Sequence, residues 1–244
     1  MSGVSRRWPL RLLNDEIHVW HAFLEVPYER LEYLHRILSD DEVNRAARYY
    51  FERDRRRFII RRGLLRCILS LYLDQSPRAL AFQYNNHGKP ALANMSGEPS
   101  LCFNVSHSGE LTLYAITRKR EVGVDIEYIR PFEDAEDIVK RFFSSREKVE
   151  FGTLPERIKN QAFFACWTRK EAYIKARGEG LSYPLSNFSV SMIPDEPAGL
   201  VEIKGDKSKK SRWSLKTILP GAGYVAAVAV EGHGLAIRHW QWSW

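Results

Sequence analysis

The sequence predicts an α+β fold made of two similarly composed halves, each a set of antiparallel-leaning strands packed with helices. Three observations carry that expectation. Apolar residues recur at three-to-four spacing in two blocks, around residues 28–74 and 134–177, which is the period of amphipathic helices. Short runs bounded by Gly, Pro and Asn follow each block, as strands and their turns do. The 244 residues are 44% hydrophobic and 27% charged, enough apolar material for a substantial core.

The elements follow in order. Residues 16–24, "EIHVWHAFL", read as a first strand. After Pro27, Leu31, Leu34 and Leu38 form a helical stripe. Ser39 with Glu42 three residues on is a capping box that opens a second helix. In "ERDRRRFIIRRGLLRCILSLYL", Ile60, Leu64, Ile68 and Leu71 predict a long amphipathic helix ending near Asp74 and Pro77. A "NNHGKPAL" turn leads into the strands "LCFNVSHSG", "LTLYAITR" and "EVGVDIEYI". The second helical block breaks near Gly152 and Pro155, and residues 187–242 read as strands separated by turns such as "IKGDKSKK" and "LPGAGY". A division near 118–121 gives two subdomains, 1–118 and 119–244.

Several classes are set aside. The first fifteen residues carry positive charge but no signal-like apolar core, and the apolar run "YVAAVAV" is too short for a membrane helix. The expectation is a cytoplasmic protein with no membrane partner. Cys67, Cys102 and Cys166 are widely spaced and odd in number, which argues for core packing rather than a disulfide framework or a zinc site. A net charge of +7 favours an anionic partner: nucleic acid, a phosphorylated small molecule, a membrane surface or an acidic protein.

Four stretches bear chemistry. In "GVDIE" the strand period sends Asp125 and Glu127 to one face and Val124 and Ile126 to the other. Such neighbouring carboxylates either share a solvated face or hold a divalent cation, and hard oxygens suit Mg²⁺. In "CWTRKEAYIKARGEGL", Glu171 and Lys175 are an i, i+4 pair on a helix that Gly178 caps; they form a surface ion pair, or a third acidic ligand beside a catalytic cation. In "FNVSHSG", alternation separates Asn104, Ser106 and Ser108 from Phe103, Val105 and His107. In "HGKPAL", Lys89 sits in a Gly-Pro turn able to present a lysine or an amide to an anion. The pairs Arg57/Arg61 and Arg62/Arg66 each share a helix face, either solvated or with one or two arginines turned into a phosphate site.

Taken in order, "GKP" at 88–90, "FNVSHS" at 103–108, "GVDIE" at 123–127 and "WTRKEAYIKARGEGL" at 167–181 resemble the motifs of Sfp-type 4'-phosphopantetheinyl transferases. The likeness spans roughly residues 38–190. It implies that family's fold, a pseudo-two-fold pair of α/β subdomains in one monomer with coenzyme A in the cleft between them. It implies transfer of the phosphopantetheine arm of coenzyme A to a serine of an acyl or peptidyl carrier protein, with release of 3',5'-ADP. On this reading Asp125, Glu127 and Glu171 bind Mg²⁺, with Mn²⁺ as a substitute. Glu171 is also the base, and Lys175 neutralises or protonates the leaving phosphate. Ser106, His107, Lys89 and Pro90 contact the coenzyme A phosphates, and Arg45 and Arg57 hold the 3'-phosphate and adenine end. Lys170 supports the metal carboxylates and Glu147 is a further acidic position behind them. Glu42 stands where some members carry a lysine, and Trp167 is a packing residue.

Two other classes compete. A metal-dependent nucleic-acid enzyme would use basic stretches interleaved with aromatics, for which "RYYFERDRRR" at 48–57 is the one offered. A non-catalytic module binding coenzyme A or a carrier would have no need of all three carboxylates and Lys175.

Overall fold

The structure is a computed structural model and describes residues 9–93, 101–205 and 211–244. Strand β1 (Glu16–Phe23) leads into helices α1 (Tyr28–Arg36), α2 (Asp40–Ala47) and α3 (Glu52–Leu73). The short strands β2 (Phe82–Tyr84) and β3 (Pro90–Leu92) pair around the 85–89 turn. Strands β4 (Leu101–Ser108), β5 (Leu111–Arg118) and β6 (Val122–Tyr128) follow, then helices α4 (Ala135–Phe142), α5 (Ser145–Thr153) and α6 (Glu156–Arg177). Strands β7 (Phe188–Val190), β8 (Leu200–Ile203), β9 (Trp213–Ile218), β10 (Tyr224–Glu231) and β11 (Ala236–Gln241) complete the chain. The expected "IKGDKSKK" turn lies partly outside the described residues.

Two sheets organise these elements. The first has the order β11-β1-β5-β4 and the second β6-β10-β9, with every pairing antiparallel except β1 with β11. Strand alternation then builds a four-layer stack. Trp20, Ala22, Tyr114 and Ile116 face α3, while Ile17, Val19, Leu113 and Ala115 face the second sheet. That sheet answers with Val122, Val124, Ile126, Val228 and Val230, and turns Ala227 and Ala229 toward α6. Each sheet is therefore sandwiched between the other sheet and one 22-residue helix.

The division expected near residues 118–121 falls between β5 and β6, which lie in different sheets. β11 leaves the second half and pairs with β1, so the segment 119–244 does not keep its last strand to itself.

Helix limits follow local chemistry. The Ser39–Glu42 capping box forms, with Ser39 N donating to Glu42 Oε2 at 3.1 Å, and Pro155 starts α6 after the expected break. Gly178 ends α6 at φ 70°, the left-handed conformation glycine adopts at no steric cost. Two arginines of α3, Arg62 and Arg66, depart from a solvated face and are buried. Arg66 is buried, donates to Glu42 Oε2 at 2.6 Å and Ser39 Oγ at 2.9 Å, and reaches the carbonyls of Pro77 and Leu80. Glu42 is thus committed to anchoring α2 on α3.

The three cysteines are free, Cys67 and Cys166 buried and Cys102 half-buried. Burial pushes the thiols of Cys67 and Cys102 up to about 11, so neither is a ready nucleophile. Among the described residues, no helix is long and apolar enough to cross a membrane.

Candidate active site

Strands β4 and β6 lie side by side without a backbone ladder, and the polar face of β4 supplies the link. Asn104 Oδ1 accepts from Val124 N at 3.0 Å, Ser106 Oγ donates to Asp125 Oδ1 at 2.8 Å, and Ser108 Oγ donates to Glu127 Oε2 at 2.9 Å. The period-two alternation read from "FNVSHS" is what puts these three side chains in register with "GVDIE". Ser106 and Ser108 thereby fix the orientation of the two carboxylates.

Helix α6 crosses β6 at Gly123, on the face that carries Asp125 and Glu127. A Cβ at that position would lie 2.1 Å from Ala172 O and 2.2 Å from Ala176 N, closer than side-chain atoms come to backbone. The glycine therefore permits the close approach that brings Glu171 and Lys175 over Asp125. Lys175 Nζ donates to Asp125 Oδ1 at 2.6 Å and to Ser106 Oγ at 3.0 Å.

The electrostatics match a site that carries more negative charge than its surroundings neutralise. Burial, and to a lesser extent the charge of Asp125, raises the pKa of both Glu127 and Glu171 above the usual carboxylate range. Asp125 is buried, and its Oδ2 has no hydrogen-bond partner among the described residues. An open buried carboxylate oxygen beside two further acids is a donor set that fits a hard divalent cation. As the side chains stand, no group of three or more ligating residues among those described is close enough to hold an ion. The ammonium of Lys175 sits on Asp125 and Ser106 instead.

The opposite face of β4 is basic. His107 points toward α3, where an Arg61 Nη lies 2.7 Å from its Nδ1 and 2.9 Å from its Nε2. Loss of hydration, then the charges of Arg61, Lys175 and Arg57, push the His107 pKa down to about 4. The imidazole is neutral at pH 7, and the positive charge beside it is that of Arg61. A cavity of about 230 Å³ opens here, lined by Arg45, Arg61, Arg62, Phe58, Gly88 and Pro90 among others. Arg61 Nε and Arg62 Nη1 are buried there without partners among the described residues, donors fitted to an anion.

Other expected site residues are placed elsewhere. Arg57 pairs with Glu110 and lines a separate cavity of about 690 Å³ with Arg53 and Arg56, apart from Arg45. Lys89 turns away from the basic cavity. Its Nζ donates to Glu121 Oε2 at 2.7 Å and to Ala176 O at 3.0 Å, so only the turn's Gly88 and Pro90 face the cavity.

Lys170 and Glu147 need a larger correction. Both side chains are fully buried, and Lys170 Nζ spends its three donors on Glu147 Oε1 (2.8 Å), Glu147 Oε2 (2.7 Å) and Phe188 O (2.7 Å). Glu147 also accepts from Ser144 N and Val190 N. The pair ties α5 and β7 to α6 and makes no contact with Asp125, Glu127 or Glu171. Trp167 stacks on Phe143 and Phe163, as a packing residue should.

Sequence reasoning did not single out Gly123; it gave Asn104 and Ser108 a shared strand face with Ser106 but no role, and Arg61 no more than its charge pairing. A glycine inside a strand pattern signals close backbone approach, which was the available clue for Gly123.

Comparison with known proteins agrees across most of the chain. Residues 121–229 match the family model described as 4'-phosphopantetheinyl transferase superfamily, and residues 26–119 match that of the 4'-phosphopantetheinyl transferase N-terminal region. The chain is 42% identical over 233 residues to 4'-phosphopantetheinyl transferase HetI of Nostoc sp., covering 96% of this chain and 95% of that one. It is 31% identical over 194 residues to 4'-phosphopantetheinyl transferase Sfp of Bacillus subtilis, covering 78% and 81%.

Proposed function

We propose, from the premise that this chain belongs to the 4'-phosphopantetheinyl transferase family, that it takes the 4'-phosphopantetheine arm from coenzyme A. The acceptor is a serine hydroxyl of an apo acyl or peptidyl carrier protein, the reaction depends on Mg²⁺, and 3',5'-ADP is released. The observation that carries this reading is the meeting of Lys175 with Asp125 beside Glu127 and Glu171, across β4 from the pair Arg61–His107.

In the proposed step the serine oxygen bonds to the phosphorus that bears the pantetheine. The bond from that phosphorus to the bridging oxygen breaks, and 3',5'-ADP leaves with the electron pair. Glu171 takes the hydroxyl proton. Lys175 meets the negative charge that develops on the leaving phosphate. Asp125, Glu127 and Glu171 would hold the Mg²⁺, whose chemistry is to neutralise the pyrophosphate oxygens. Ser106 and Ser108 hold the two strand carboxylates in fixed orientations.

At the nucleotide end, Arg45, Arg61 and Arg62 supply charge and the Gly88–Pro90 turn supplies backbone. His107 serves as a neutral hydrogen-bonding group. The chain works as a cytoplasmic monomer, with coenzyme A held between the halves 1–118 and 119–244. Release of 3',5'-ADP, followed by chromatography, tests the reading. Stoichiometric release that requires coenzyme A, a divalent metal and an apo carrier together supports it; release without the carrier, or none at all, refutes it.

A further inference from the structure

We infer that Lys89 is a positioning residue, whose ammonium caps the C-terminal end of α6 and ties the turn beside the basic cavity to the helix that carries Glu171 and Lys175. The inference rests on the reading of cavity and helix as parts of one active site.

The last carbonyls of a helix have no partner within it, and positive charge near them is favourable. Lys89 Nζ takes Ala176 O at 3.0 Å, and Asn85 Nδ2 takes Gly178 O at 2.8 Å. One turn of the first half therefore satisfies two terminal carbonyls of α6. The Lys89 ammonium is held from its other side by Glu121 Oε2 at 2.7 Å, two residues before the Gly123 contact with α6. The turn is itself stiff. Asn85 Oδ1 accepts from His87 N and Lys89 N, both at 2.9 Å, and Gly88 adopts φ 79°.

The two faces of this turn then do different work. Gly88 and Pro90 line the cavity with Arg45, Arg61 and Arg62, while Lys89 lines a different cavity with Glu121 and Gly178, Pro90 standing between the two. Lys175 immediately precedes the capped Ala176. Loss of the cap loosens the last turn of α6 and with it the register of Lys175 on Asp125. The lysine of the "GKP" turn thus acts on the reaction through α6, without touching coenzyme A.

The test compares the wild-type chain with Lys89→Ala, Lys89→Arg and Glu121→Gln. Amide hydrogen exchange in the last turn of α6, turnover, and calorimetric binding of coenzyme A and 3'-dephospho-coenzyme A are measured for each. Lys89→Ala is expected to speed exchange there and to lower kcat about tenfold or more, the scale of a small misplacement of a catalytic group. KM for coenzyme A changes less than kcat, and both ligands lose affinity equally. Lys89→Arg restores most of kcat, and Glu121→Gln shifts kcat in the same direction as Lys89→Ala.

A loss confined to coenzyme A binding and absent for the 3'-dephospho form would overturn the inference and make Lys89 a phosphate ligand. Tighter coenzyme A binding by Glu121→Gln would do the same, since it would mark a lysine freed to meet the anion. Unchanged exchange in Lys89→Ala would also overturn it. Because exchange is read without turnover, its outcome stands apart from the transferase reading.

Discussion

Lys175 and Asp125 are joined by a 2.6 Å hydrogen bond between the last turn of α6 and the middle of β6. They lie fifty residues apart in sequence. That contact exists because Gly123 lets the helix backbone come close and because Ser106 holds Asp125 from the other side. It places one ammonium among carboxylates whose remaining negative charge a metal would meet.

Asp125→Ala and Glu171→Ala are each expected to reduce carrier modification at least about a hundredfold, the scale on which removing one preorganised electrostatic group acts. Circular dichroism and thermal unfolding should show the fold retained. Normal turnover of either variant at saturating Mg²⁺ would remove that residue from the metal site.

Lys175→Ala should lower kcat by about two orders of magnitude and change KM for coenzyme A much less. Its charge matters most when the leaving phosphate develops. Steady-state kinetics check this, and an unaltered kcat with a raised KM would contradict the role.

Gly123→Ala tests the close packing of α6 on β6. The new methyl meets backbone atoms that cannot swing aside, so the helix must shift, at a cost of about 1–3 kcal/mol or more. Urea unfolding should show the loss, and turnover should fall with it because Glu171 and Lys175 move. Wild-type stability would show that α6 does not sit this close.

Lys170→Met is expected to act on stability alone. It leaves Glu147 as an uncompensated buried charge, which costs about 3–5 kcal/mol. Turnover per folded molecule should stay near the wild-type value. A large drop in kcat with unchanged stability would return Lys170 to the catalytic machinery.

His107 should titrate near 4 in the free protein, as followed by NMR of its ring protons. The folded value lies below the unfolded 6.5, so proton binding favours the unfolded chain. The stability linked to this group is full above about pH 6.5 and declines as pH falls toward 4. A measured value near 6.5 would contradict the neutral imidazole beside Arg61.

Much of this was legible in the sequence, for reasons that are geometric. Strand alternation alone assigns Asp125 and Glu127 to one face and Ser106 and Ser108 to another, and the structure brings those faces together. Helical spacing also held a clue about Lys170 that the motif obscured. Five residues rotate a helix by about 140° past a full turn, so Lys170 and Lys175 cannot share a face, whereas Glu171 and Lys175 can. What spacing could not reveal were contacts set by tertiary packing. Arg61 meets His107 from 46 residues away. Arg66 and Glu42 belong to separate helices, and Lys89 reaches a carbonyl 87 residues downstream. Charge on a sequence does not say which face is buried, and the buried arginines of α3 show how readily it misleads.

The central claim is a Mg²⁺-dependent transfer to a carrier serine, and intact mass spectrometry of the carrier tests it most directly. The purified protein is incubated with coenzyme A, Mg²⁺ and a panel of apo acyl and peptidyl carrier proteins, with and without chelator. At least one carrier should gain the mass of a single phosphopantetheine arm, and chelation or a Ser→Ala change at the carrier's acceptor should abolish the gain. Unchanged masses across the panel, or equal gain with all divalent metal removed, would contradict the account.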